Sequence, residues 1–422
     1  MSKKKILIHS IVFSPDGVST AYLYNDIALR FKAEGYDVEV LTTTPHYNIL
    51  EEERARQPLK TRLAGLYYTS DFHGINVIHV RQKKYKSTLL RMLGFIYWHF
   101  LSFVIILFKK KISVILSPSP PLTIGIINIV AAKLKGCKVI YNVQEIYPDF
   151  LIQQKELKSG FVIRLLSWLE RFVYNHSDAV TTIDAIFYDT IVNRVKDPSK
   201  LHIIPNFVDT DLYKPIDKAQ LKLNHLLFPH KPNVLKVMYA GNIGFAQDWD
   251  PLIAVAKVLK DSPVEFFIIG EGAMKNNLNK QISEYNLTKV HLLPYQSREL
   301  MPSLIGYADL HFIFMTNEME KHGFPSKVYT IMACSKPMLI SSGKDTPIVN
   351  FLEPFNCAFI STAKDFSEKC ETLENFIRQA IVNSEILSEM GDRGFNEVIH
   401  QYSKQVVTSQ YLKLANNLLQ SE

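Results

Sequence analysis

Short apolar, β-branched runs alternate with longer helical patterns along almost the whole chain, and this alternation constrains the fold more than any other feature. In the first half the runs are 6–9, 38–41, 77–80, 114–116, 139–142, 179–182 and 202–204, with helical patterns at 22–32 and 122–134. The pattern then restarts. Runs at 237–240, 265–269, 290–292, 310–314, 338–340 and 358–360 alternate with helical patterns at 251–260, 274–285, 298–305 and 327–334. Strands that are apolar on both faces and joined through helices specify βαβ crossovers, and hence a parallel sheet covered on both sides. The expected fold class is α/β, as two doubly wound, Rossmann-like domains.

At 422 residues the chain exceeds what one core usually supports. A turn-rich stretch, PNFVDTDLYKP (205–215), lies where the pattern restarts. The expected division is therefore 1–208, 209–403, and a last helix, 404–422, that can pack back on the first domain. With 47% hydrophobic and 21% charged residues, the composition excludes a disordered or fibrous chain. Cys137, Cys334, Cys357 and Cys370 show no metal-ligand spacing and imply a reducing compartment. The opening MSKKKILIHS has too short an apolar run for a signal-peptide core and reads as a first strand.

Doubly wound sheets bind ligands beyond the carboxyl ends of their strands, so segments that follow strands carry the chemistry. After the first run comes FSPDGVSTAYLY, where Asp16-Gly17 makes a turn and Ser19-Thr20 are placed to cap a helix, leaving N–H groups near Gly17 free. It lacks G-x-G-x-x-G and the acidic residue that holds a dinucleotide ribose, which argues against a dehydrogenase. QEIYPD (144–149) puts Gln144, the carboxylates Glu145 and Asp149, and Tyr147 at a strand end. The group suits sugar hydroxyls or proton transfer, and a solvated turn accounts for it equally. GNIGFAQDWD (241–250) offers close backbone approach to a phosphate at Gly241 and Gly244, and GEG (270–272) forms a second tight turn. HGFPSKVYTIMACSKPMLIS places Ser326 and Lys327 at the start of a helical pattern spanning 325–334. That is either a diphosphate site or an ordinary helix start with proline in its first turn.

In this order the segments resemble the family 4 retaining glycosyltransferases, which have the GT-B fold of two facing Rossmann-like domains around an interdomain cleft. PHYN (45–48), SPSPPLTIG (117–125), the PNFVD connector, FFIIGEG (266–272) and HLLPYQSRELMPSLIGYADL (291–310) extend the resemblance over nearly the whole chain. QEIYPD, GNIG-x-x-Q and PSK together are most similar to the WbuB-like branch, which transfers deoxy or N-acetylamino sugars in bacterial surface-polysaccharide (lipopolysaccharide O-antigen or capsule) assembly. The resemblance implies a nucleoside-diphosphate sugar donor, UDP-linked in preference to the GDP-linked alternative that the sequence leaves open, an undecaprenyl-diphosphate-linked glycan acceptor, and no metal or other cofactor. It assigns catalysis to Lys327, as the diphosphate cation, with Glu145 and Gln144 orienting sugar or acceptor. Donor binding falls to Gly17, Gly241, Asn242, Gly244, Gln247, Gly270, Glu271, Gly272, Tyr295, Gly323, Phe324, Pro325, Ser326 and Thr330. The chain departs from the family at Thr330 and Pro347, where acidic residues are common, at Asn242 and Gln247, where Arg and Lys are, and at Gln144, where His is. A nucleotide-sugar 2-epimerase of the same fold and a non-catalytic relative are the alternative readings.

Residues 89–108, LLRMLGFIYWHFLSFVIILF, are long enough to span a bilayer, but Arg91, His99 and Ser102 interrupt them and a buried strand follows. A buried or half-buried helix is expected. Lysines cluster at 3–5, 83–86 and 109–111. Such clusters are either solvated loops or contacts to an anionic surface, and the arrangement of Lys83, Lys84, Lys86 and Arg91 beside Tyr85, Tyr97 and Trp98 suggests peripheral contact with the cytoplasmic membrane leaflet rather than nucleic acid.

Overall fold

The apolar runs form strands and the segments between them form helices, in two units: Met1–Asn206 with Gln405–Glu422, and Phe207–Lys404. The computed structural model describes residues 3–47, 49, 51–82, 87–153, 157, 159–320 and 324–420.

The first unit runs β1 (Lys5–His9), α1 (Ser19–Ala33), β2 (Asp37–Thr43), α2 (Glu51–Arg56), β3 (Lys60–Arg62), β4 (Tyr67–Phe72) and β5 (Ile75–Val80). It continues with α3 (Thr88–Phe108), β6 (Ile112–Pro118), α4 (Leu122–Lys135), β7 (Lys138–Val143), α5 (Asp149–Gln153), α6 (Gly160–His176), β8 (Ala179–Thr182), α7 (Ala185–Ile191) and β9 (Leu201–Ile203). Its nine strands are ordered β3-β4-β5-β2-β1-β6-β7-β8-β9, parallel except for the β3-β4-β5 edge. Ile6, Leu7 and Ile8 are buried on both faces, which is why the central strands read as unbroken apolar runs. The antiparallel edge was not legible that way, because β3 is Lys-Thr-Arg and fully exposed, a charged edge of the kind that blocks further pairing.

The second unit holds β10 (Leu235–Ala240), α8 (Asp250–Val258), β11 (Val264–Ile269), α9 (Lys275–Glu284), β12 (Val290–Leu293), α10 (Met301–Tyr307) and β13 (Leu310–Phe314). After these come α11 (Lys327–Ala333), β14 (Met338–Ser341), α12 (Pro347–Leu352), β15 (Ala358–Ser361), α13 (Phe366–Val382) and α14 (Ser384–Gln401). The six strands are all parallel, in the order β12-β11-β10-β13-β14-β15. The last helix, α15 (Lys404–Gln420), packs into the first unit, where Tyr411 accepts a hydrogen bond from Asn142 Nδ2 (3.0 Å) and Asn416 accepts one from Tyr36.

Three local expectations are corrected. The helix expected over 325–334 spans only the seven residues Lys327–Ala333, and Ser326 caps it without a side-chain bond. Helix α1 is capped by the Val18 backbone and not by Ser19 or Thr20. Trp98, expected on a membrane-facing surface, is fully buried, its ring 5.1 Å from that of His9. Helix α3 is apolar all round, and the 3.6-residue period puts Trp98, Ser102 and Ile106 on the stripe that faces the core.

Candidate active site

In the second sheet the chain leaves β10 in one direction and β13 in the other, so the loops after these two strands flank the topological switch point. They are laced together: Gln247 bridges to Met315, Asp248 N–H donates to the Phe314 carbonyl (2.8 Å), and Thr316 N–H to that of Ala246 (3.2 Å). The two glycine turns interlock beside them. Ile243 N–H donates to the Glu271 carbonyl (2.8 Å), and Tyr239 OH to that of Asn242 (2.7 Å). Gly270, at φ 153°, passes so close to Gly241 that a Cβ would strike the Gly241 carbonyl oxygen, and one at Gly272 would strike that of Ile243. Only glycine fits both turns.

Lys327 reaches into this assembly. Its Nζ lies 3.6 Å from the centroid of the Tyr239 ring, and a Cβ on Gly241 would come within 2.6 Å of it. Part of the residue stays open to solvent, but the ammonium is enclosed, and desolvation lowers its pKa to about 7. No carboxylate among the described residues lies within ion-pair distance of it. The titratable group facing it from β13, His311, is buried and held neutral, with a pKa of about 4. Gln247 is 9% exposed and its Oε1 has no hydrogen-bond partner among the described residues. An enclosed cation stacked on one aromatic ring, beside the glycine turn at Gly241, is a place where an anion would restore lost solvation.

The other expected donor residues fall less directly there. Glu271 is exposed and ion-paired to Lys275 (2.6 Å), with a backbone bond from Tyr295, and the carboxyl is held below its usual value mainly by the Lys275 hydrogen bond. Phe324 turns into the core, with ring centroids 5.3 Å from Tyr329 and 5.0 Å from Phe351. Thr330 donates its hydroxyl to the Lys327 carbonyl (2.9 Å), satisfying its own helix. Pro325 is half-buried and Ser326 exposed, while Gly323 and His322 lie outside the described residues.

In the first unit, Ser119 after β6 and the Gln144–Glu145 turn after β7 form the corresponding corner. Ser119 Oγ accepts from the backbone N–H of Gln144 (3.0 Å) and Glu145 (3.2 Å) and donates to the Glu145 carbonyl (3.1 Å). The Glu145 carboxylate accepts from Tyr147 OH (3.1 Å), and burial raises its pKa. Gln144, expected to orient substrate, is used internally. It donates to Asn142 Oδ1 (2.7 Å) and exchanges amide hydrogen bonds with Asn206 (3.0 Å each), so both its N–H groups are taken. Asp149 pairs with Arg194 (2.6 Å), which also clamps the buried Glu170 (2.9 Å), whose pKa burial still raises to about 7. The Gly17 N–H, expected to be free, donates to the Tyr47 carbonyl (3.1 Å), because Asp16 buries its carboxylate under the His46 and Tyr47 N–H groups. Lys83, Lys84 and Lys86 lie outside the described residues; Arg91 is in α3, with its side chain also outside them. Ser119, Asn206 and Tyr239 were not singled out from sequence, although each stands in a segment that was.

Two family models match in tandem: the Glycosyl transferase 4-like domain over residues 20–206 and Glycosyl transferases group 1 over residues 224–390. The chain belongs to the family 4 glycosyltransferases. Among curated relatives, this glycosyltransferase is 24% identical over 388 residues to the putative colanic acid biosynthesis glycosyl transferase WcaI of Escherichia coli (strain K12), covering 90% of the chain and 92% of the relative. It is 23% identical over 247 residues to the probable glycosyltransferase WbjE of Pseudomonas aeruginosa, covering 56% and 60%. Among solved structures, Anabaena HepE in complex with UDP superposes with a TM-score of 0.71 at 15% identity, over 98% of this chain and 100% of that one. That likeness shows the GT-B fold, with its two Rossmann-like domains.

Proposed function

We propose that the protein transfers a hexose, of deoxy or N-acetylamino type, from a UDP-sugar to a lipid-linked glycan in the assembly of a bacterial surface polysaccharide, with retention of anomeric configuration. The observation that carries the reading is Lys327, enclosed on Tyr239 beside the Gly241 turn with no counter-ion among the described residues. The colanic acid assignment of WcaI supports the polysaccharide context, and the UDP bound by HepE supports the nucleotide.

In this reading the diphosphate lies against Lys327. As the bond from sugar C1 to the diphosphate oxygen breaks, negative charge grows on that oxygen, where the ammonium stabilises it. The acceptor oxygen bonds to C1 on the same face and its proton passes to the departing phosphate, so no enzymic nucleophile is needed. Glu145, half-buried under Tyr147, holds sugar or acceptor hydroxyls. The Lys327 charge serves the leaving group without a metal or other cofactor. Incubation with labelled UDP-sugars and membrane extract tests the reading: transfer of label to lipid supports it, whereas epimerised free donor, or unchanged donor with every sugar tried, rejects it.

A further inference from the structure

The chain passes between its two units twice, after Asn206 and after Lys404. On the second-unit side the two passes are joined by a parallel bridge of Val208 to Ser403, with Val208 N–H donating to the Tyr402 carbonyl (3.0 Å) and Lys404 N–H to that of Val208 (2.8 Å). The Lys404 ammonium adds ion pairs to Asp209 (2.9 Å) and Asp211 (3.2 Å). On the first-unit side both passes lead to one buried amide. Asn142, near the end of β7, donates from Nδ2 to Thr181 of β8 (2.8 Å) and to Tyr411 of α15 (3.0 Å), and its Oδ1 accepts from Tyr24 of α1 and from Gln144 Nε2 (2.7 Å). Gln144 carries the network on to Asn206, the last residue before the first pass.

Both N–H groups and both lone-pair directions of the Asn142 amide are in use, so its orientation is set by partners from separate segments of the chain. Burial raises the pKa of Tyr24 and of Tyr411, which keeps both phenols protonated and able to hold their places. The network ends at the turn that presents Glu145. Ser119 fixes the backbone N–H groups of Gln144 and Glu145, and the network fixes the Gln144 side chain, so the turn is held from two sides. A buried network that loses one member leaves its neighbours unpaired and free to shift. A displacement of about 1 Å at a reacting group can cost about a hundredfold in rate.

We propose that Tyr411 and Asn206 are positioning residues, which act through Asn142 and Gln144 to hold the Glu145 carboxylate where it meets sugar or acceptor hydroxyls. The proposal rests on the role given to Glu145 in the proposed function, but the hold on the turn is measured without donor or acceptor. Tyr411→Phe and Asn206→Ala should each lower turnover about tenfold with the KM for the UDP-sugar unchanged. Neither should lower it further in a Glu145→Gln background, because residues that act through one group are not additive with its loss. Amide hydrogen exchange of the full chain gives the second readout: both variants should speed exchange at Gln144 and Glu145. Tyr36→Phe, which removes the Tyr36–Asn416 bond holding the same last helix but leaves Asn142 untouched, should leave turnover as in the parent. Parental turnover in both network variants, a full further loss in the Glu145→Gln background, or unchanged exchange at the turn would each overturn the proposal. So would an equal loss of turnover in Tyr36→Phe, which would assign the effect to the docking of the helix as a whole. Absence of transfer by the parent with every sugar tried, with exchange at the turn still speeded in the variants, would instead count against the proposed function.

Discussion

Replacing Lys327 by Met should move stability and activity in opposite directions. In the folded chain desolvation lowers the Lys327 pKa from 10.5 to about 7, whereas the unfolded chain keeps its ordinary lysine. Between these values the unfolded state binds more protons, so the parent gains stability as pH rises through the window from about 7 to 10.5, and the full penalty is present below about 7. Each tenfold change in proton affinity is about 1.4 kcal/mol, which would place the penalty on the order of 5 kcal/mol for a group wholly cut off from water. Lys327 is only half-buried as a residue, and its ammonium regains part of the loss from the Tyr239 ring. A net gain of about 2 kcal/mol for Lys327→Met at pH 7 is therefore expected. Urea titrations at pH 7, 8.5 and 10 should show the gap between variant and parent closing as pH rises.

Turnover should fall about a hundredfold or more in the same variant, because the charge that develops on the leaving diphosphate loses its partner. An anion bound against the ammonium raises the lysine's pKa, so UDP affinity in the parent should weaken as pH rises above about 7, by up to about tenfold per pH unit. Calorimetric titration from pH 7.5 to 9 reads this directly. A variant no more stable than the parent at pH 7, a gap that does not close, or near-normal turnover would each refute this account, and the last would move the cation elsewhere, with Lys344 the next candidate.

Glu145→Gln should lower turnover more than it weakens UDP binding, because Glu145 belongs to the first unit and the nucleotide is assigned to the second; equal losses in kinetics and calorimetry would remove that division. Gly270→Ala drives a Cβ into the Gly241 carbonyl at a φ unfavourable for alanine, and should cost about 2 kcal/mol or more in urea denaturation while abolishing UDP binding. Arg194→Met leaves Glu170 buried and unpaired, and should cost about 3–5 kcal/mol; the double variant with Glu170→Met should recover most of it, and a failure to recover would show that Arg194 acts otherwise than by pairing Glu170.

The sheets were legible because their central strands are buried on both faces and so read as unbroken apolar runs; 179–182 and 310–314 are strands over the full expected span. The β3-β4 edge was not, since a charged exposed strand lacks that signature. Helix α3 shows the limit of periodicity in another way. Because it is apolar on every side, its sequence names a helix but not its inward stripe, and Trp98 was placed outside when the sheet takes it in. The order of glycine turns and Lys327 was legible as a set, yet the partners that fix each member are distant in sequence. Tyr47 takes the Gly17 N–H, Asn206 takes the Gln144 amide, and Tyr239 lies under the Lys327 ammonium.

The departures from the family pattern gain a physical meaning at this point. Asn242 and Gln247 are neutral, so in the proposed reading Lys327 is the cation that these loops would present to a diphosphate. Additional cations around an enclosed lysine would lower its pKa further and unload its proton at neutral pH. Neutral neighbours keep the ammonium near half-charged when the site is empty and let the ligand bring it to full charge. Substituting Arg at Asn242 or Lys at Gln247 would therefore add a charge while depressing the one already there, and the two effects oppose each other in donor binding.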